Sequence, residues 1–189
     1  IYTVDRYWIE LIGGHDQLAA YVVYVGISNA VISLLDAAVF NFAYPSLIAS
    51  AGAGDQIKFG GQMRRLTYQT VVVTVVVSAG AILCAGPLIR WLDKPNYIIN
   101  IDLLYWALLA SALYCINMIP HYGLYARRQD KPIILSNLLS LPIFLLVTYL
   151  LMPELGAAAI PASMGCAFLI QTMHKSIVFK KKIRNKSSA

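Results

Sequence analysis

Charge is scarce in this sequence. Only 13% of its 189 residues are Asp, Glu, Lys or Arg, about half the share of an average soluble domain. That excludes an ordinary water-soluble globule, which needs an ionic surface around its core. Cysteine is scarce too. Cys84, Cys115 and Cys166 are odd in number, sit in apolar runs and form no Cys-x-x-Cys or Cys/His spacing, so they read as small packing residues. The three histidines, His15, His121 and His174, are not paired at metal-ligand spacing. No Gly-x-Ser-x-Gly, phosphate-cradling glycine loop or His-Glu-x-x-His is present. The sequence therefore implies no enzyme: no catalytic residue, no metal and no cofactor. Asp5-Arg6-Tyr7 matches the tripeptide of rhodopsin-like receptors, but the rest of that pattern is missing. There is no initiator Met, and no basic segment precedes an apolar one at the start as in a signal peptide. The expectation is a fragment, the C-terminal part of a longer chain.

What the sequence has in abundance is apolar length: 59% of residues are hydrophobic and mean hydropathy is +0.65. About 20 apolar residues cross a bilayer as a helix. Five runs qualify: 18–45, 66–89, 103–126, 133–152 and 156–173. Residues 1–12 read as the last turns of an earlier helix, closed by a Gly13-Gly14-His15-Asp16 turn. The stretch 46–65, with small residues and three cations, reads as a loop. The valines of 71–77 do not make a barrel strand, because the surrounding 24-residue run is uncharged and such strands have about 10 residues with alternation. The predicted fold is all-α: one polytopic transmembrane bundle over 1–189, with about five full spans plus a partial N-terminal one, and a basic cytoplasmic tail over 175–189. Ala158, Ala162 and Cys166, at spacing four, predict a close-packing face.

The cations are distributed unevenly. Lys58, Arg64 and Arg65, then Arg127, Arg128 and Lys131, then the six of the tail lie on one side; Arg6, Arg90 and Lys94 lie on the other. This split puts the larger set and the C-terminus in the cytoplasm. It also removes a nucleic-acid partner despite the net charge of +6: the cations are topology signals and contacts for membrane lipids.

Polarity inside the apolar runs supplies the candidate site. Asn29, Ser33, Asp36 and Phe40 fall within about 60° of one another on a helix. A carboxylate at the depth of Asp36 costs about 2.5–3.5 kcal/mol on insertion scales, so it requires a partner, a proton or water. Asp36 is the candidate ion-coupling residue, with Arg64 and Arg65 as candidate structural partners. Asp5 and Arg6 form a second polar station, expected in the outer half of the membrane and about 20 Å or more from Asp36. Arg6, Asp5, Asn29 and Ser33 are the candidate substrate-binding residues, Arg6 because its planar fork suits phosphate.

The order VDRYWIELI, Gly-Gly turn, LAAY, YARRQDKP and LMPELGAAAIPAS resembles the C-terminal half of a Wzx-type O-antigen or polysaccharide flippase, within the multidrug and oligosaccharidyl-lipid exporter superfamily. The resemblance extends over essentially the whole chain and rests on spacing and hydropathy. It implies half of a two-bundle transporter in a bacterial inner membrane. The missing N-terminal half would complete the cavity, and an undecaprenyl-pyrophosphate-linked oligosaccharide would be translocated by alternating access. Arg6 would then attract the pyrophosphate and Asp36 would couple the cycle to an ion gradient. The alternatives are a drug/cation antiporter of the same superfamily, or a membrane-integral polysaccharide polymerase or ligase, which the short outer connections disfavour.

Overall fold

The computed structural model describes residues 3–92 and 95–187. Asp93 and Lys94, placed above in the turn after the second run, lie outside them. Nearly all of the described chain is helical, and no strand occurs in it. Helix α1 (Val4–Leu35) passes into a π-helical turn (Asp36–Phe40) and then α2 (Asn41–Gly52). There follow α3 (Gln56–Leu92), α4 (Pro95–Ile99), α5 (Ile101–Ala126), α6 (Asp130–Leu155), a 3-10 turn (Gly156–Ala158) and α7 (Ala159–Ser187).

Two glycines break what are otherwise continuous helical segments. Gly14 has φ 70 and ψ −174, a region essentially closed to residues with a Cβ. The chain bends there, as the Gly-Gly pair predicts, and Asp5 from before the bend packs against Tyr21 after it. Gly156, at φ 52, does the same between α6 and α7, which then pack along each other.

The stretch 46–65 differs from the expected loop. It is a helical hairpin, with α2 and α3 joined through Ala53–Asp55. Gly54 takes φ 73 as the left-handed residue that ends a helix. The Ala53, Gly54 and Asp55 amides close back onto Ala49, Ala51 and Ser50. Asp55 caps α3, its Oδ1 accepting the Lys58 amide at 2.9 Å. Across the hairpin, Ser50 Oγ donates to Gln62 Oε1. Low hydrophobicity here marks exposure, not loss of helix.

The last helix also departs from the sequence reading. It does not end at Met173 but runs on to Ser187, so Lys175 lies within it and not in a tail.

Four helical segments are long and apolar enough to cross a membrane: Val4–Gly52, Gln56–Trp91, Ile101–Ala126 and Asp130–Lys181. The last contains both α6 and α7, folded back at Gly156. Helix α5 lies at the centre, against α7, α1 and α3. Its approach to α7 is close because Gly165 has no side chain: a Cβ there would stand 3.3 Å from Leu113 and 3.7 Å from the Ala110 backbone. Ala162, on the expected small-residue face, is buried. Helix α3 lies at the margin. Its Val71, Val72, Val75 and Val76 are exposed, an apolar face that costs free energy in water and none against lipid tails. Hydroxyls inside the helices are satisfied locally, for example Ser28 to the Val25 carbonyl and Thr148 to that of Phe144, as a low-dielectric surrounding requires.

Candidate functional site

The predicted polar stripe is on one flank of the bundle, where α1 meets α5. Asn29, Ile32 and Ser33 from α1 and Tyr114 from α5 line an open hollow of about 320 Å³. The buried stripe of α1, through Tyr21, Tyr24, Ser28, Val31 and Leu35, follows helical spacing and holds the helix to the core. Asn29 and Ser33 lie beside that stripe, which leaves Asn29 half-buried and Ser33 exposed.

Asp36 is the first residue of the π-helical turn. The Asn41 amide bonds to the Asp36 carbonyl, five residues back, so one extra residue is accommodated in the turn. Such single-turn π-bulges occur disproportionately at functional sites. The half-buried Asp36 carboxylate lies within electrostatic range of Tyr114, Cys115 and Tyr122. Among the described residues it has no ion-pair partner; the one ion pair is His15 with Glu10 at 3.2 Å. Arg64 and Arg65, the candidate partners from sequence, do not reach it: Arg65 lines a different hollow with Ala38 and Phe42.

Phe40 is not on the open part of the stripe. It is buried and packs on Tyr122 at 5.1 Å between ring centroids. Tyr122 also meets Tyr44 at 5.5 Å, and Tyr44 meets Tyr125 at 5.6 Å. The polar stripe therefore continues toward the helix ends as a run of tyrosines. Their positions, 114, 122 and 125 on α5, recur at helical spacing and were present in the sequence; their register against α1 was not.

Asp5 and Arg6 separate. Asp5 is fully buried and its Oδ2 accepts the Tyr21 hydroxyl at 2.8 Å, while its Oδ1 has no hydrogen-bond partner. Arg6 is exposed on the other side of the helix. The Tyr21 contact sets Asp5 about 15 residues of rise, roughly 22 Å, from Asp36.

A buried polar cluster escaped the sequence reading. Lys175 is 1% exposed. Its Nζ donates to Asn137 Oδ1 at 3.3 Å on α6 and to Gln171 Oε1 at 3.2 Å on its own helix. Asn117 of α5 donates to the same Gln171 oxygen at 3.0 Å. The ammonium thus ties three helices through amide oxygens alone. The signal was available: Gln171 and Lys175 are four residues apart, on one face of α7.

Among the described residues, no group of three or more His, Cys, Asp or Glu side chains is arranged to hold a metal ion. In comparisons with known proteins, no family model, curated protein or solved structure matches the chain.

Proposed function

We propose that the protein is part of a membrane transporter, and that the flank lined by Asn29, Ser33, Asp36 and Tyr114 is one wall of its translocation path. The observation that carries this reading is an unpaired carboxylate on a π-helical turn, beside an open polar hollow, in a helix otherwise apolar enough to span a membrane. An isolated ionisable group at that depth is expensive and belongs to a path for solute, ion or proton. With Gly14 and Gly156 as outer turns, the chain crosses five times and its basic ends face the cytoplasm. Lys175 drops out of that charge count, and eleven cations remain against three.

The resemblance to polysaccharide flippases supplies the cargo, an undecaprenyl-pyrophosphate-linked oligosaccharide, and a second bundle to close the path. Tyr44, Tyr114, Tyr122 and Tyr125 suit a glycan, because each offers a flat apolar face beside a hydroxyl. Arg6 then holds pyrophosphate on the outer side, and Asp36 couples the cycle to an ion. The test is complementation of a strain lacking a lipid-linked oligosaccharide flippase by the full-length protein and its variants. Asp36→Asn and the double change Asn29→Ala, Ser33→Ala lower surface glycan while leaving protein level unchanged. Full activity of both variants overturns the reading.

The drug/cation antiporter alternative draws on one observation: the hollow combines a nearby carboxylate with tyrosine, while Arg6 is exposed elsewhere. It predicts Asp36-dependent efflux of organic cations with no effect on surface glycan.

A further inference from the structure

A second hollow, of about 650 Å³, lies at the other end of the fold from the Gly14 bend, where α5 gives way to the polar turn before α6. Its volume is in the range of ligand pockets. One wall is apolar, with Ile48, Leu124 and Phe179; the other carries Gln56, Arg127 and Arg128. Neither Asp55 nor Asp130, the acids of the adjacent turns, lines it.

The two arginines are held in place. The Arg127 guanidinium stands 4.5 Å over the ring of Phe59 and 5.4 Å from that of Phe179, and its Nη2 donates to Gln56 Oε1 at 2.8 Å. Partial burial pulls its pKa below the ordinary arginine value, yet a guanidinium stays charged at neutral pH. It is a partly desolvated cation that no carboxylate among the described residues pairs. Arg128 has φ 58, the single non-glycine residue in the left-handed region among those described. Its amide donates to the Tyr125 carbonyl at 2.8 Å. That sparsely populated conformation lets two consecutive arginines border one hollow.

The location names the ligand. The apolar run of α5 ends at Ala126 and charged residues follow at once, so the hollow lies at headgroup level, with its apolar wall turned to the level of the chains. We propose that it binds the phosphodiester headgroup of an anionic phospholipid, with Arg127 and Arg128 on the phosphate and the Ile48, Leu124 and Phe179 wall on the first acyl carbons. Arginine's planar fork matches phosphate oxygens, and each interfacial cation adds to attraction for anionic lipid. The site is separate from the Asp36 flank and stands whether or not that flank carries cargo.

The test uses the full-length protein in nanodiscs of phosphatidylcholine with a minor share of phosphatidylglycerol, then native mass spectrometry of the lipid retained. The wild type retains phosphatidylglycerol preferentially. Arg128→Gln lowers that retention about fivefold, the effect of one interfacial cation. Arg128→Gly, which adopts φ 58 without strain, lowers it equally and separates loss of charge from a distorted turn. Lys58→Gln and Lys131→Gln, exposed cations outside the hollow, leave it unchanged. Equal losses from all four variants would indicate diffuse surface attraction, and unchanged retention in both Arg128 variants would remove the site; either overturns the proposal. Inorganic phosphate added as competitor does not displace the lipid; complete displacement overturns the lipid assignment in favour of a soluble phosphate.

Discussion

Two buried polar residues illustrate how the same cost is met in different ways. Asp5 has one strong donor, Tyr21, and an orphan oxygen. Tyr21→Phe leaves the whole carboxyl without its donor, so it lowers stability by about 1–3 kcal/mol, read as a lower melting temperature of the detergent-purified protein. An unchanged melting temperature refutes the pairing. Lys175 has only amide oxygens at 3.2 and 3.3 Å, which offset little of the several kcal/mol that burying an ammonium costs. Methionine keeps much of the unbranched stem that packs there. Lys175→Met therefore melts no lower than the wild type, whereas Lys175→Ala, which leaves a cavity, melts lower. A fall for Lys175→Met as large as for alanine would mean that the amide cage contributes net stability. Asp36 was legible as an anomaly because a carboxylate interrupts an apolar run. Lys175 was not, because a lysine just before a basic cluster looks like part of that cluster; only the polar partners on α5 and α6, more than thirty positions away, bury it.

At the scale of the element, the π-helical turn sets the register between the polar stripe and the tyrosines. Removing one residue, for instance Ala37, restores the α pitch and rotates everything after it by about 100° relative to Asn29 and Ser33. Helix content by circular dichroism stays unchanged. In the double variant Tyr44→Cys, Tyr122→Cys, a short bifunctional thiol reagent links the two substituted positions efficiently in the parent, and the link is lost in the deletion. Efficient linking in both would show that α2 does not take its register from the bulge. Nothing in the sequence announces this insertion, because every residue of Asp36–Phe40 fits an ordinary helix; Pro45, just beyond it, is the nearest hint. The 46–65 hairpin is the opposite case. Gly54 followed by Asp55 is a helix stop and a helix start by capping chemistry, but hydropathy outweighs it when a segment is judged by span length alone.

At the scale of the molecule, apolar runs located every long helix, since length and hydrophobicity are local properties. They did not place α5 at the centre or α3 at the margin, which follow from close approaches such as Gly165 against Ala110. A five-crossing topology makes a direct prediction. In a Cys84→Ser background, Glu154→Cys reacts with a membrane-impermeant maleimide on intact cells, and Lys131→Cys reacts only after permeabilisation. Labelling of both without permeabilisation contradicts the arrangement. Helix length adds a mechanical consequence. Helix α3 has 37 residues, about 55 Å, against about 30 Å of hydrocarbon. Joined to α2 by a three-residue turn, it is a stiff lever pivoted in the membrane. A tilt of about 10° about its middle carries its tip about 5 Å sideways. Small changes of packing near Asp36 are thereby magnified at the hairpin end, beside the arginine hollow that Gln56 and Ile48 help to line.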